Sequence, residues 1–89
     1  MNEAEMEEMR IKLNRIQLMK DLTRVINCHS MENGSDTPDF ILGEFLADCL
    51  EEFDKEISHP ERPTHAKFLR GCLAVFVKAR DAREQWHVD

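Results

Sequence analysis

Glycine and proline are scarce in this chain, three of each among 89 residues, so few positions invite a break or an unusual backbone conformation. With 42% hydrophobic and 34% charged residues, that scarcity fits one small all-α domain and argues against disorder. Long apolar runs are missing too: none approaches the roughly 20 residues that span a bilayer. The acidic start Met1-Asn2-Glu3-Ala4-Glu5 has neither region of a secretory signal. A cytoplasmic location, away from membranes, is the expectation. Positive charge is in deficit, and a formal net charge of −6 opposes general nucleic-acid binding, which needs a basic footprint.

Three cysteines cannot all pair within one chain, and free buried thiols are expected. Cys49 and Cys72 fall on apolar helical stripes, and Cys28 stands beside His29. There is no C-x-x-C or H-x-x-x-H spacing, and His29, His59, His65 and His87 are scattered near helix ends, so no metal site is expected. A Gly-rich phosphate loop and a G-x-S-x-G elbow are equally absent. No catalytic residue and no cofactor follow from such a sequence, and a non-enzymatic protein is expected. Cys28-His29 is the nearest approach to a nucleophile and base, but neighbours in sequence need not reach hydrogen-bonding geometry.

What the chain does have is one helix written twice. Phe45-Leu46-x-x-Cys49-Leu50-x-x-Phe53-x-Lys55 returns 23 positions later as Phe68-Leu69-x-x-Cys72-Leu73-x-x-Phe76-x-Lys78. Each copy spaces its apolar residues as one stripe of a helix. Thr37 is read as the N-cap of the first copy, with Pro38 at N1 and Asp39 complementing the positive helix end. Ser58-His59-Pro60-Glu61-Arg62-Pro63 separates the copies, and Ala79 and Trp86 extend the second stripe. Upstream, a long helix carries two apolar faces. Met6, Met9, Leu13 and Ile16 share one; Ile11, Leu18, Leu22, Val25 and Ile26 share the other. No single partner covers both, so the helix bends near Gln17 or lends its methionine-rich half to a second chain as an oligomer contact. His29 to Asp36 is the main loop, with Asn33-Gly34 as its turn signal.

The predicted architecture is therefore a single all-α domain over residues 1–89: a three-helix module built on an antiparallel helical hairpin, and oligomeric. Residues 1–29 form the N-terminal helix with its assembly face, and residues 37–58 and 63–87 form the pseudo-repeated hairpin. Charge is segregated along it. Between Asp36 and Glu56 stand eight acids against Lys55, whereas Arg10, Lys12, Arg15, Lys20 and Arg24 face Asp21 alone. Either an acidic helix lies between basic neighbours, or the basic residues form a local anion pocket.

The run from Ser30 through Asp36-Thr37-Pro38-Asp39-Phe40-Ile41-Leu42, followed by Phe45-Leu46-x-x-Cys49-Leu50-x-x-Phe53, resembles a family of small proteins common in tailed bacteriophages. Their core reads Ser-Asn-Thr-Pro-Asp-Phe-Ile-Leu-Ala, and the same helix ends in Arg-Glu-x-Trp-Tyr-Gly. Here that tail follows only the second copy, as Arg83-Glu84-Gln85-Trp86, as though the family's helix had been duplicated. The resemblance covers roughly residues 22–54 and 68–86. The chain departs from it with Asp36 for Asn, Gly43 for Ala and His87-Val88 for Tyr-Gly.

The resemblance implies a phage accessory protein, acting in the host cytoplasm, and small phage accessory proteins frequently counter host defence. Within that class one expectation is sequestration of a cyclic nucleotide or related immune signal between helices or protomers. Phosphates would be held by Arg or Lys and by free N–H groups at helix N-termini. The candidates are Thr37, Arg62, Thr64, Lys67 and Arg83, with Trp86 stacking on a base. Plain helix caps and a hydrophobic lid are the competing readings of the threonines and of Trp86. The other expectation is an acidic inhibitor or adaptor that binds a host protein through helix two. A DNA-reading helix-turn-helix fits poorly, for want of a basic recognition stripe.

Overall fold

The computed structural model describes residues 2–58 and 65–87. Helix α1 spans Glu3–Cys28, a single 3-10 turn spans Met31–Gly34, α2 spans Asp39–Ile57 and α3 spans Ala66–Trp86. No strand occurs among the described residues. Residues 59–64, which hold most of the expected connector with His59, Arg62 and Thr64, lie outside them.

Local chemistry sets the helix ends. Asn2 caps α1, its Oδ1 accepting the Glu5 N–H at 2.8 Å, and Glu3 and Glu5 complement the helix dipole. The other end closes where Ser30 turns left-handed, at φ 55°. Asn33-Gly34 falls within the 3-10 turn of the expected loop. Gly34 has no positive φ, and the left-handed positions fall instead on Ser30 and on Asp36, at φ 51°. Asp tolerates that region because its short side chain can bond locally. The expected Thr37 cap is corrected as well: Pro38 occupies the cap position, its carbonyl accepting the Ile41 N–H at 3.1 Å, while the Thr37 side chain turns back to Ser35.

The helices form a layer with α2 in the middle, antiparallel to both neighbours; α1 and α3 do not pack on each other. α2 meets α1 at small residues. Gly43 lies against Met19 and Thr23, and Ala47 is buried near them. α3 approaches α2 through Gly71, beside Glu52, and buried Val75. Close approach at small positions leaves the bulky residues flanking the seams. Among the described residues the buried apolar core is Ile26, Ile41, Ala47 and Val75.

The duplicated stripes do not cover each other. Leu46, Leu50 and Phe53, and their repeats Leu69, Leu73 and Phe76, all remain exposed. The α1 stripe stays uncovered also: Met6, Met9, Leu13 and Ile16 are exposed, as is every described residue before Arg15. With a radius of gyration of 15.4 Å, the chain is wider than the roughly 12 Å of a compact domain this long. No described helix is long and apolar enough to cross a membrane.

Candidate functional site

Charge organises one side of the layer. Asp48 on α2 is buried and draws a cation from each neighbour: Arg15 of α1 bonds its Oδ1, and the Lys78 ammonium of α3 lies 3.2 Å from its Oδ2. Glu44 reaches Lys78 at 2.8 Å, and Glu51 reaches Arg15 at 3.5 Å. The acidic helix thus lies between basic neighbours, and these cations hold the three helices in register. Sequence gave no hint of Asp48, because its partners stand 33 and 30 residues away.

The bond to Glu44, aided by Asp48, raises the Lys78 pKa above its ordinary value, against the opposing effect of burial. Burial also pushes the Cys49 thiol up, with Cys72, Asp48 and Glu52 adding to the shift. The two shifts act differently on stability. A lysine favoured in its charged form stabilises fully below its ordinary pKa, and that contribution is lost only as pH rises through the raised value. A thiol favoured in its neutral form lowers stability once pH rises into the ordinary thiol range. Melting temperature is therefore expected to fall in two alkaline stages, with Cys49→Ser removing the earlier one. Alkylation at mildly alkaline pH, followed by peptide mass mapping, is expected to modify exposed Cys28 first and half-buried Cys49 last.

The end of the layer where α3 finishes gathers the other notable group. The Arg83 Nε–H donates to the Ser35 carbonyl at 3.0 Å. The Ser35 and Thr37 hydroxyls are 2.8 Å apart, and the His87 Nε2 lies 2.9 Å from the Asp36 carbonyl oxygen. Trp86 meets the Phe40 ring in a T-shaped contact, centroids 5.3 Å apart, yet stays 61% exposed. It is an open lid rather than a buried one. Beside this cluster runs a groove of about 330 Å³ between α2 and α3, floored by Ile41, Leu42, Phe45 and Phe76 and edged by Thr37, Arg80 and Arg83.

The structure therefore brings Thr37, Arg83 and Trp86 together from opposite halves of the chain. Ser35 and His87 join them and were not foreseen, since backbone carbonyl contacts leave no mark in a sequence. Lys67 is elsewhere, at the other end of α3, in a cavity of about 610 Å³ shared with Lys55, Arg70, Glu52 and Glu56. Three cations stand there against two acids, with Lys55 already paired to Glu52, so it is a mixed-charge cleft and no simple anion pocket. Thr37 is buried; its hydroxyl is satisfied by Ser35 rather than by a helix end. Among the described residues no group of three or more His, Cys, Asp or Glu is placed to hold a metal ion.

Comparison with protein-family models, curated proteins and solved structures finds no match to this chain.

Proposed function

We propose that this protein is a non-enzymatic sequestering module that takes a small anionic ligand of nucleotide type at the α3 end, acting as a phage accessory protein against a host signal. The observation that carries the reading is the convergence of Thr37, Arg83 and the exposed Trp86 beside an apolar groove. A base needs an aromatic face and an apolar wall, both of which are there. A phosphate needs charged donors, and the Arg83 guanidinium has N–H groups beyond the one given to Ser35. Binding and retention require no general base, nucleophile or metal.

Thermal denaturation against a panel of cyclic mono- and dinucleotides tests this. A ligand at 100 times its Kd adds about 2.7 kcal/mol to stability, so one class of nucleotide is expected to raise the melting temperature by several degrees. Trp86→Ala, at a largely exposed position, is expected to leave the unliganded protein folded and abolish the shift. A panel with no stabilising member overturns the proposal.

One observation favours a second reading, binding of a host protein. The projecting half of α1 pairs an uncovered methionine-rich stripe with exposed Glu3, Glu5, Glu7 and Glu8, a combination suited to an apolar groove with a basic rim. This reading predicts salt-sensitive capture of one host protein that Met9→Glu abolishes, and no nucleotide shift.

A further inference from the structure

Sixteen large apolar side chains stay exposed among the described residues, against four buried apolar ones. The chain exposes 7053 Å², where a compact monomer of its mass exposes about 5,400 Å². The projecting arm of α1 accounts for part of that excess. Six of the sixteen exposed side chains are the stripe residues of the hairpin.

At about 100° per residue, Leu46, Leu50 and Phe53 fall within one narrow arc of α2, and Leu69, Leu73 and Phe76 within one arc of α3. Glu44 and Asp48 lie on the far side of α2 from its stripe, and Lys78 on the far side of α3 from its own. Since Lys78 pairs with Glu44 and Asp48, the ion pairs mark one face of the layer and both stripes lie on the other. The layer is charged beneath and apolar above.

We infer that this apolar face of α2 and α3 is the seat of a second copy of the same chain, closing a four-helix bundle about a two-fold axis. Three observations select that occupant. The stripe spacing of four then three residues is the a/d seam through which helices interlock in bundles. The stripes are copies of one sequence on antiparallel helices, so the face is close to self-complementary, as a two-fold interface requires. The six stripe residues are each at least 44% exposed, apolar surface of the kind that a standard interface of roughly 800 Å² per partner covers. Because only one face of the α2–α3 hairpin is apolar, the assembly closes at two copies through it instead of growing into a stack. The α1 stripe is a poorer seat, being a single helix width with no neighbouring helix to broaden it. The interface shares Phe76 with the groove of the ligand reading, whereas Leu50 and Leu73 do not line that groove, so their variants test the interface without touching it.

Sedimentation equilibrium of the full chain at micromolar concentrations tests the inference. The expected result is a dimer whose melting temperature rises with protein concentration. Leu50→Glu is expected to give monomer, and Leu73→Ala to raise the dimer dissociation constant about tenfold or more. Both side chains are at least half exposed in the protomer, so neither change empties its core. Should Leu50→Glu lose helical circular dichroism because the monomer does not fold alone, Leu73→Ala still decides, through the slope of melting temperature with concentration. Met9→Glu is expected to leave the dimer intact. A monomeric wild type overturns the inference. So does an oligomer that withstands Leu50→Glu and Leu73→Ala but dissociates with Met9→Glu.

Discussion

Asp48→Ala is expected to lower stability by about 2 kcal/mol, and the melting temperature by on the order of 10 °C for a domain of this size. Removing one partner of a buried ion pair ordinarily costs about 3–5 kcal/mol, because the remaining charge is left without compensation. Two facts bring the value down here. The side chains of Arg15 and Lys78 are 34% and 59% exposed, so water recovers part of their solvation. Each also retains a second carboxylate, Glu51 or Glu44. Asp48→Asn keeps the shape and a hydrogen-bond acceptor but drops the charge, and about half the loss is expected. Urea denaturation of the three proteins separates the contributions of charge and shape. The adjacent-turn pairs Arg24–Asp21 and Arg10–Glu7 make the control, since breaking an exposed pair typically changes stability by less than 1 kcal/mol. Equal losses at Asp48 and at these pairs would show that the three-helix clamp contributes nothing special.

The sequence made the helices legible because their signals are local. The repeated stripe, the proline before α2 and the break before α3 depend on neighbours a few residues apart, and the observed helices begin and end close to where those signals place them. What it concealed is how the helices meet. A periodic stripe such as Leu69, Leu73 and Phe76 says that one side of α3 is apolar, without saying what covers it. Here the seams form at Gly43, Ala47, Gly71 and Val75, where backbones approach closely, and the bulky stripe is displaced outward. In sequence Asp48 is one acid among eight, yet it is the one drawn between two cations. For the candidate site, residue type pointed to Thr37, Arg83 and Trp86, and the antiparallel hairpin brings them together. Charge and a place at the start of α3 group Lys67 with them, but the same topology puts it at the opposite end. The role of Thr37 was misjudged by one residue: a helix beginning one position later converts a cap into a buried hydroxyl facing Ser35.

The two helical glycines look alike in sequence, and their alanine variants are expected to move stability in opposite directions. Any Gly→Ala change within a helix gains about 1 kcal/mol of intrinsic propensity, so the sign depends on what the new methyl group meets. At Gly43 it would collide with the Thr23 hydroxyl while standing 3.1 Å from the Met19 carbonyl oxygen and 3.3 Å from the Thr23 nitrogen. That hydroxyl is tied to the Met19 carbonyl at 2.7 Å, β-branched side chains have few rotamers in a helix, and the other two atoms are backbone. Relief requires α1 to move away from α2. Overpacking of this kind costs about 1–3 kcal/mol, and Gly43→Ala is expected to lose about 1 kcal/mol or more after the propensity gain. At Gly71 the obstacle is the carboxylate end of Glu52, which swings aside on a flexible stem at little cost. Gly71→Ala is therefore expected to be neutral or to gain up to about 1 kcal/mol. Paired urea melts read the difference directly, and the Gly43 variant should also loosen α1, seen as faster amide hydrogen exchange around Met19 and Thr23. Two variants shifted equally in the same direction would mean that α1 and α2 do not meet backbone to backbone at Gly43.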